Sequence, residues 1–184
     1  STVFSLNSGA TINGGTASDF TSLLANETAS QVSITDQNLT VDSGTISVAN
    51  ARAFSAATTG TVTGTVTSGT TMAAMLDSST GLAETGHALT ITIASGDAEA
   101  TAANLTALYG KTTVAVDASS VTQITGTVAE ANILYAAGAS EITGLGNETV
   151  VLTETGLNDG SAEGTVATLN TLDNNTTGII NAGS

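Results

Sequence analysis

Six short segments of this chain place apolar residues three and four apart. They are Ala17-Phe20-Leu23-Leu24, Val48-Ala51-Phe54, Met72-Met75-Leu76, Ala102-Leu105-Leu108, Val128-Ala131-Leu134 and Val166-Leu169-Leu172. Each spacing predicts a helix of two to three turns with one buried face. Between them, apolar residues alternate with Thr or Ser, as in Val32-Ser33-Ile34, Leu89-Thr90-Ile91-Thr92-Ile93 and Val114-Ala115-Val116, and near Ile124 and Val150 to Leu152. That period of two predicts strands. Small-residue stops separate the two kinds of segment at Thr58-Thr59-Gly60, Ser79-Thr80-Gly81, Lys111-Thr112-Thr113 and Thr176-Thr177-Gly178, where a glycine suits a helix C-cap.

With Leu24, Phe54, Leu76, Leu108, Leu134 and Leu172 as anchors, successive intervals are 30, 22, 32, 26 and 38 residues. A small helix with one or two short strands buries too little surface to stand alone, so units at this spacing predict a solenoid. The expectation is a β-solenoid-like fold of about six irregular coils, with parallel strands and the helices along one side. It covers residues 1–184 as one repeat domain, loosely patterned over 1–46 and more clearly over 47–184. The anchors should be buried with Ile91, Val116 and Ile124. The alternative is a compact α/β fold with short helices.

Charge and composition narrow the partners. Arg52 and Lys111 are the only Lys or Arg side chains against 16 Asp and Glu, for a formal net charge of −14. Such a chain has no patch able to neutralise several phosphates or an anionic membrane surface, so neither nucleic acid nor membrane insertion is expected. Cysteine is absent, which removes disulfides and thiol chemistry. Thr contributes 36 residues and Gly 20, a bias toward strands and turns.

The run from Thr112 to Thr127, Thr-Thr-Val-Ala-Val-Asp-Ala-Ser-Ser-Val-Thr-Gln-Ile-Thr-Gly-Thr, preceded by Ala103-Asn104-Leu105-Thr106-Ala107-Leu108, resembles repeat units of very large secreted cyanobacterial and other marine bacterial surface proteins. Weaker copies lie at Ala49 to Phe54 with Thr58-Thr59-Gly60, and at Leu169 to Asp173 with Thr176-Thr177-Gly178. The likeness covers roughly 47–184. It implies an exported, extracellular or cell-surface protein of adhesive or structural duty, without catalytic motif.

The residues themselves offer little chemistry. The single histidine, in Glu84-Thr85-Gly86-His87-Ala88, would have to serve any Ser-His-acid triad, and no G-x-S-x-G elbow exists. It reads as a solvated loop residue before the strand at 89–93. Carboxylates are scattered singly, with no pair specifying a glycosidase cleft. No cofactor is expected. Calcium is the one ion the sequence admits, at Asp173, Asn175 and Thr177, where Asp173-x-Asn175-x-Thr177-Gly178 matches the first half of an EF-hand loop but position 12 is Ser184 instead of Glu.

Thr-x-Thr pairs at Thr61/Thr63, Thr65/Thr67, Thr90/Thr92, Thr125/Thr127 and Thr153/Thr155 suggest, as the alternative function, a module binding ice or carbohydrate on a Thr-rich solenoid face. The leading expectation is a secreted, non-enzymatic structural or adhesive protein of the bacterial surface or matrix. Its partners would be further copies of itself or the rest of a longer repeat chain. Neither end looks capped: Thr2-Val3-Phe4-Ser5-Leu6 enters as a strand and Gly178 to Ser184 stops as one begins, so self-association through Val3, Phe4, Leu6, Ile179 and Ile180 is expected to build filaments end to end, or else Ser1 and Ser184 mark a cut in a longer protein.

Overall fold

The computed structural model describes residues 3–82, 85–154 and 166–181. Glu84, Thr155, Ser1 and Ser184, on which parts of the sequence reading fall, lie outside the described residues. Contacts divide the chain into two compact units, residues 1–91 with 111–114, and residues 92–110 with 115–184.

The first unit runs β1 (Phe4–Ser5), β2 (Thr11–Thr16), α1 (Ala17–Thr28), β3 (Val32–Ser33), β4 (Asn38–Ser43), α2 (Val48–Ala57), β5 (Val62–Thr65), α3 (Met72–Leu76) and β6 (Ala88–Thr90). One parallel sheet has the order β2-β4-β5-β6, and β1 pairs in parallel with β3. The second runs β7 (Glu99–Thr101), α4 (Ala102–Tyr109), β8 (Val116–Asp117), β9 (Gln123–Gly126), α5 (Val128–Ala136), β10 (Ile142–Thr143), β11 (Thr149–Leu152), α6 (Val166–Asn175) and β12 (Ile180–Asn181). Its sheet is ordered β7-β9-β11-β12, again parallel, with β8 and β10 as a separate parallel pair.

This is an α/β fold with short helices, and it corrects the β-solenoid expectation. Among the described residues, four separate sheets stand where one continuous stack of coils was predicted. The physical reason is in the anchor intervals themselves. Stacked coils need a nearly constant coil length to keep every rung in register, and intervals between 22 and 38 residues, joined to strands of two to six residues, let a ladder run only a few strands before it breaks. The filament reading and the Thr-rich solenoid face lose that basis with it.

Helix starts follow from capping. Thr16, Ser47, Thr71, Thr101 and Thr127 each sit at an N-cap with a side-chain oxygen accepting a backbone N–H from the third helical residue. At Thr16/Asp19 and Thr127/Glu130 the reciprocal bond completes a capping box. Every anchor faces inward except at two helices. Phe54, Leu108, Leu134 and Leu172 are fully buried, as are Ile91, Val116 and Ile124, but Leu24 and Leu76 are half-buried and Phe20 and Met75 take the interior positions. The Phe20 and Phe54 rings join α1 to α2, with centroids 5.8 Å apart and planes tilted by 50°. In the second unit Val128, Ala131, Val150, Leu152 and Leu172 form one cluster, flanked by Tyr135, Leu169 and Ile180.

Candidate functional site

His87 lies directly before β6. It is buried, and its Nδ1 accepts the backbone N–H of Val62, the first residue of β5, at 3.0 Å. This corrects the reading of a solvated loop residue. An imidazole that accepts at Nδ1 carries its proton on Nε2, so this geometry requires the neutral ring. The His87 carbonyl receives the Thr113 backbone N–H at 2.9 Å and the Thr113 hydroxyl at 3.2 Å.

That double donation is one case of a recurring arrangement. Thr59 gives both its N–H (2.8 Å) and its hydroxyl (3.2 Å) to the Thr35 carbonyl, and Thr177 does the same to the Gly146 carbonyl at 2.7 and 3.1 Å. In each case the preceding threonine reaches a carbonyl two residues further on. Thr58 donates to Gln37 at 2.6 Å, Thr112 to Leu89 at 2.6 Å and Thr176 to Glu148 at 3.5 Å. The hydroxyl of that first threonine also accepts the N–H two residues later, from Gly60, Val114 and Gly178. Three of the four stops seen in the sequence are thus clasps that tie the exit of a helix to a segment 21 to 31 residues earlier, whereas Ser79 and Thr80 bond locally to Asp77. Thr67 and Thr122 double-donate in the same way to the carbonyls of Ile46 and Ala98.

The clasps also explain two of the glycines, in a way that corrects the C-cap reading. Neither Gly60 nor Gly178 has a positive φ. A Cβ on Gly60 would stand 2.3 Å from the Gln37 carbonyl oxygen, and one on Gly178 would stand 1.8 Å from that of Glu148. Glycine is there because two backbones touch.

An open hollow of about 480 Å³ is lined in part by Thr35, Ser55, Thr58, Thr59, Thr85 and His87. The Ser55 hydroxyl donates to Ala51 at 2.8 Å, so that hydroxyl and those of Thr58 and Thr59 give their protons to main-chain carbonyls. In the second unit the buried carboxylate of Glu148 accepts the Gly146 N–H at 2.8 Å and the Tyr135 hydroxyl at 3.0 Å. Burial, with the negative charge of Glu148 beside it, pushes the Tyr135 phenol above its ordinary range. Asp77 accepts from the backbone and hydroxyl groups of Ser79 and Thr80, which holds its carboxyl far below the usual carboxylate range. Asp19 and Asp117 are held low by the same kind of bond, from Thr16 and Ser119.

Asp173 and Asn175 lie exposed in the last turn of α6 instead of in a loop, and Thr177 gives both of its donors to Gly146. Among the described residues there is no group of three or more His, Cys, Asp and Glu placed to hold a metal. Of the residues expected to self-associate, Val3, Phe4 and Ile179 are exposed, while Leu6 and Ile180 are half-buried. The Thr-x-Thr pairs align on neighbouring strands only in part. Thr40 pairs with Thr63, Thr65 with Thr90, and Thr101 with Thr125, but Ala88 follows Thr63 and Val151 follows Thr125. Among the described residues, no helix is long and apolar enough to cross a membrane. Comparison with protein-family models, curated proteins and solved structures finds no match.

Proposed function

We propose that this chain is a non-enzymatic structural module of a secreted bacterial surface or matrix protein. One observation carries the reading: the single imidazole and the clasp hydroxyls are tied into the scaffold. The sole imidazole serves a strand backbone, and threonine hydroxyls close three clasps between distant segments. A fold held by polar ties between distant segments and by aliphatic clusters suits a structural spacer, and its acidic composition suits a hydrated exterior. Phe4, in β1, and Ile179, just before β12, are exposed apolar residues at strands with a single neighbour among the described residues, the kind of edge on which a second copy pairs.

Immunogold electron microscopy of the cells that make the protein tests the reading. Label over the envelope or extracellular matrix is the expected result, and label confined to the cell interior overturns it. A ligand-binding reading is favoured by the hydroxyl- and imidazole-lined hollow beside His87. A glycan array separates the two, because a structural module stays silent where a carbohydrate-binding one gives selective signal.

A further inference from the structure

Asn13–Gly14 is the only Asn-Gly pair in the chain, and it stands where β2 leaves its ladder. Ile12 pairs with Leu39 and Gly15 with Val41, so three steps on β2 oppose two on β4 and the Asn-Gly pair falls in the irregularity. Both residues are exposed on an edge strand. Gly14 has φ +85°, and nothing lies within 4 Å of where its Cβ would be. An open hollow of about 300 Å³, lined by Ile12, Asn13, Gly14, Asp19, Phe20 and Leu23, brings solvent to both.

We propose that Asn13 is a site of spontaneous deamidation in the folded protein, converting to aspartate and isoaspartate. The Gly14 backbone nitrogen, losing its proton to solvent base, forms a bond to Asn13 Cγ. The bond from Cγ to the side-chain nitrogen breaks, and ammonia leaves. Water then opens the five-membered imide. Cleavage of the Cγ–N bond gives aspartate, and cleavage of the main-chain carbonyl–N bond gives isoaspartate. The net change is one water in, one ammonia out, with no oxidant or reductant. Gly14 favours ring closure because it has no side chain in the path of attack and its backbone tolerates the required rotation. A regular central ladder would pair every residue on both sides, whereas at this irregular edge neither Asn13 nor Gly14 has a register partner on β4. Each event adds a negative charge to β2, and the isoaspartate form also adds a methylene to its main chain.

The test is peptide mapping by mass spectrometry after incubation of the intact protein in mildly alkaline buffer, beside a sample unfolded in urea. Asn13 should gain one mass unit ahead of every other asparagine, with isoaspartate confirmed by methyltransferase labelling, and its rate in the folded chain should stay within about tenfold of the unfolded rate. The Asn13→Gln variant, which changes no strand pairing, should lose the acidic species from ion exchange while keeping its circular dichroism. Asn13 unmodified in the folded chain but converted in urea would overturn the proposal, as would conversion no faster than at other asparagines.

Discussion

His87 Nδ1 accepts the Val62 N–H at 3.0 Å, so one buried imidazole supplies the acceptor for the first backbone donor of β5. His87→Leu leaves that donor without its partner, and a buried unsatisfied N–H costs about 1–3 kcal/mol. His87→Asn returns an acceptor near the same place and should recover part of the loss. Denaturant midpoints of the two variants check this. Equal midpoints would mean that the bond contributes nothing beyond ring packing.

The two clasp glycines make a sharper steric prediction. Gly178→Ala would set a methyl 1.8 Å from the Glu148 oxygen, so the clasp must part, and forced overpacking costs about 1–3 kcal/mol. Gly96 has open space around it and no positive φ, so Gly96→Ala should be neutral or stabilising by about 0.4–1 kcal/mol. Thermal melts of the pair should move in opposite directions or leave Gly96→Ala in place.

Asp77 sets an acid response. Its carboxyl is held low in the folded chain by Ser79 and Thr80, so its stabilising effect is present above the unfolded carboxylate pKa of about 3.9 and is lost as pH falls through the depressed folded value. Protonation of other carboxylates relieves the repulsion of a chain at −14 over the same range, so the comparison with a variant isolates the effect. Asp77→Ala should be less stable than the parent at neutral pH, with the gap closing below about pH 4. A gap that stays constant into acid would contradict the assignment.

Association between copies is read at the exposed residues. Phe4→Lys and Ile179→Lys place charge on side chains that are 64% and 68% exposed, so folding is spared and only an intermolecular contact is affected. Burying such a side chain is worth about 1.5–3 kcal/mol, so each variant should weaken association about tenfold or more by light scattering. A parent chain that stays monomeric removes the edge-pairing model.

Helices and strands were legible because their hydrophobic periods are local, whereas parallel pairing was expected from stacked coils and is found instead in an α/β fold. The buried face of α1 was misphased by four residues, Phe20 for Leu24, because both satisfy the same helical spacing. The extent of the ladders was not legible, since it depends on whether unequal loops let strands stay in register. His87 gave no signal: one histidine in a turn looks the same whether it faces water or a strand 25 residues away. The threonine stops were visible, yet their partners lie 21 to 31 residues back, and no local pattern encodes which carbonyl is met. The capping boxes at Thr16/Asp19 and Thr127/Glu130 were present as a Thr followed three residues later by an acid.

The central claim is that threonine hydroxyls act as ties between distant segments. Thr59→Val, Thr113→Val and Thr177→Val keep the branched shape and remove the hydroxyl donor, while the matching Ser variants keep the donor. Equilibrium denaturation of this series is the most direct measurement. Each Val variant should lose about 0.5–1.5 kcal/mol and each Ser variant less, because a net hydrogen bond is worth about that much. Val variants as stable as the parent would contradict the account.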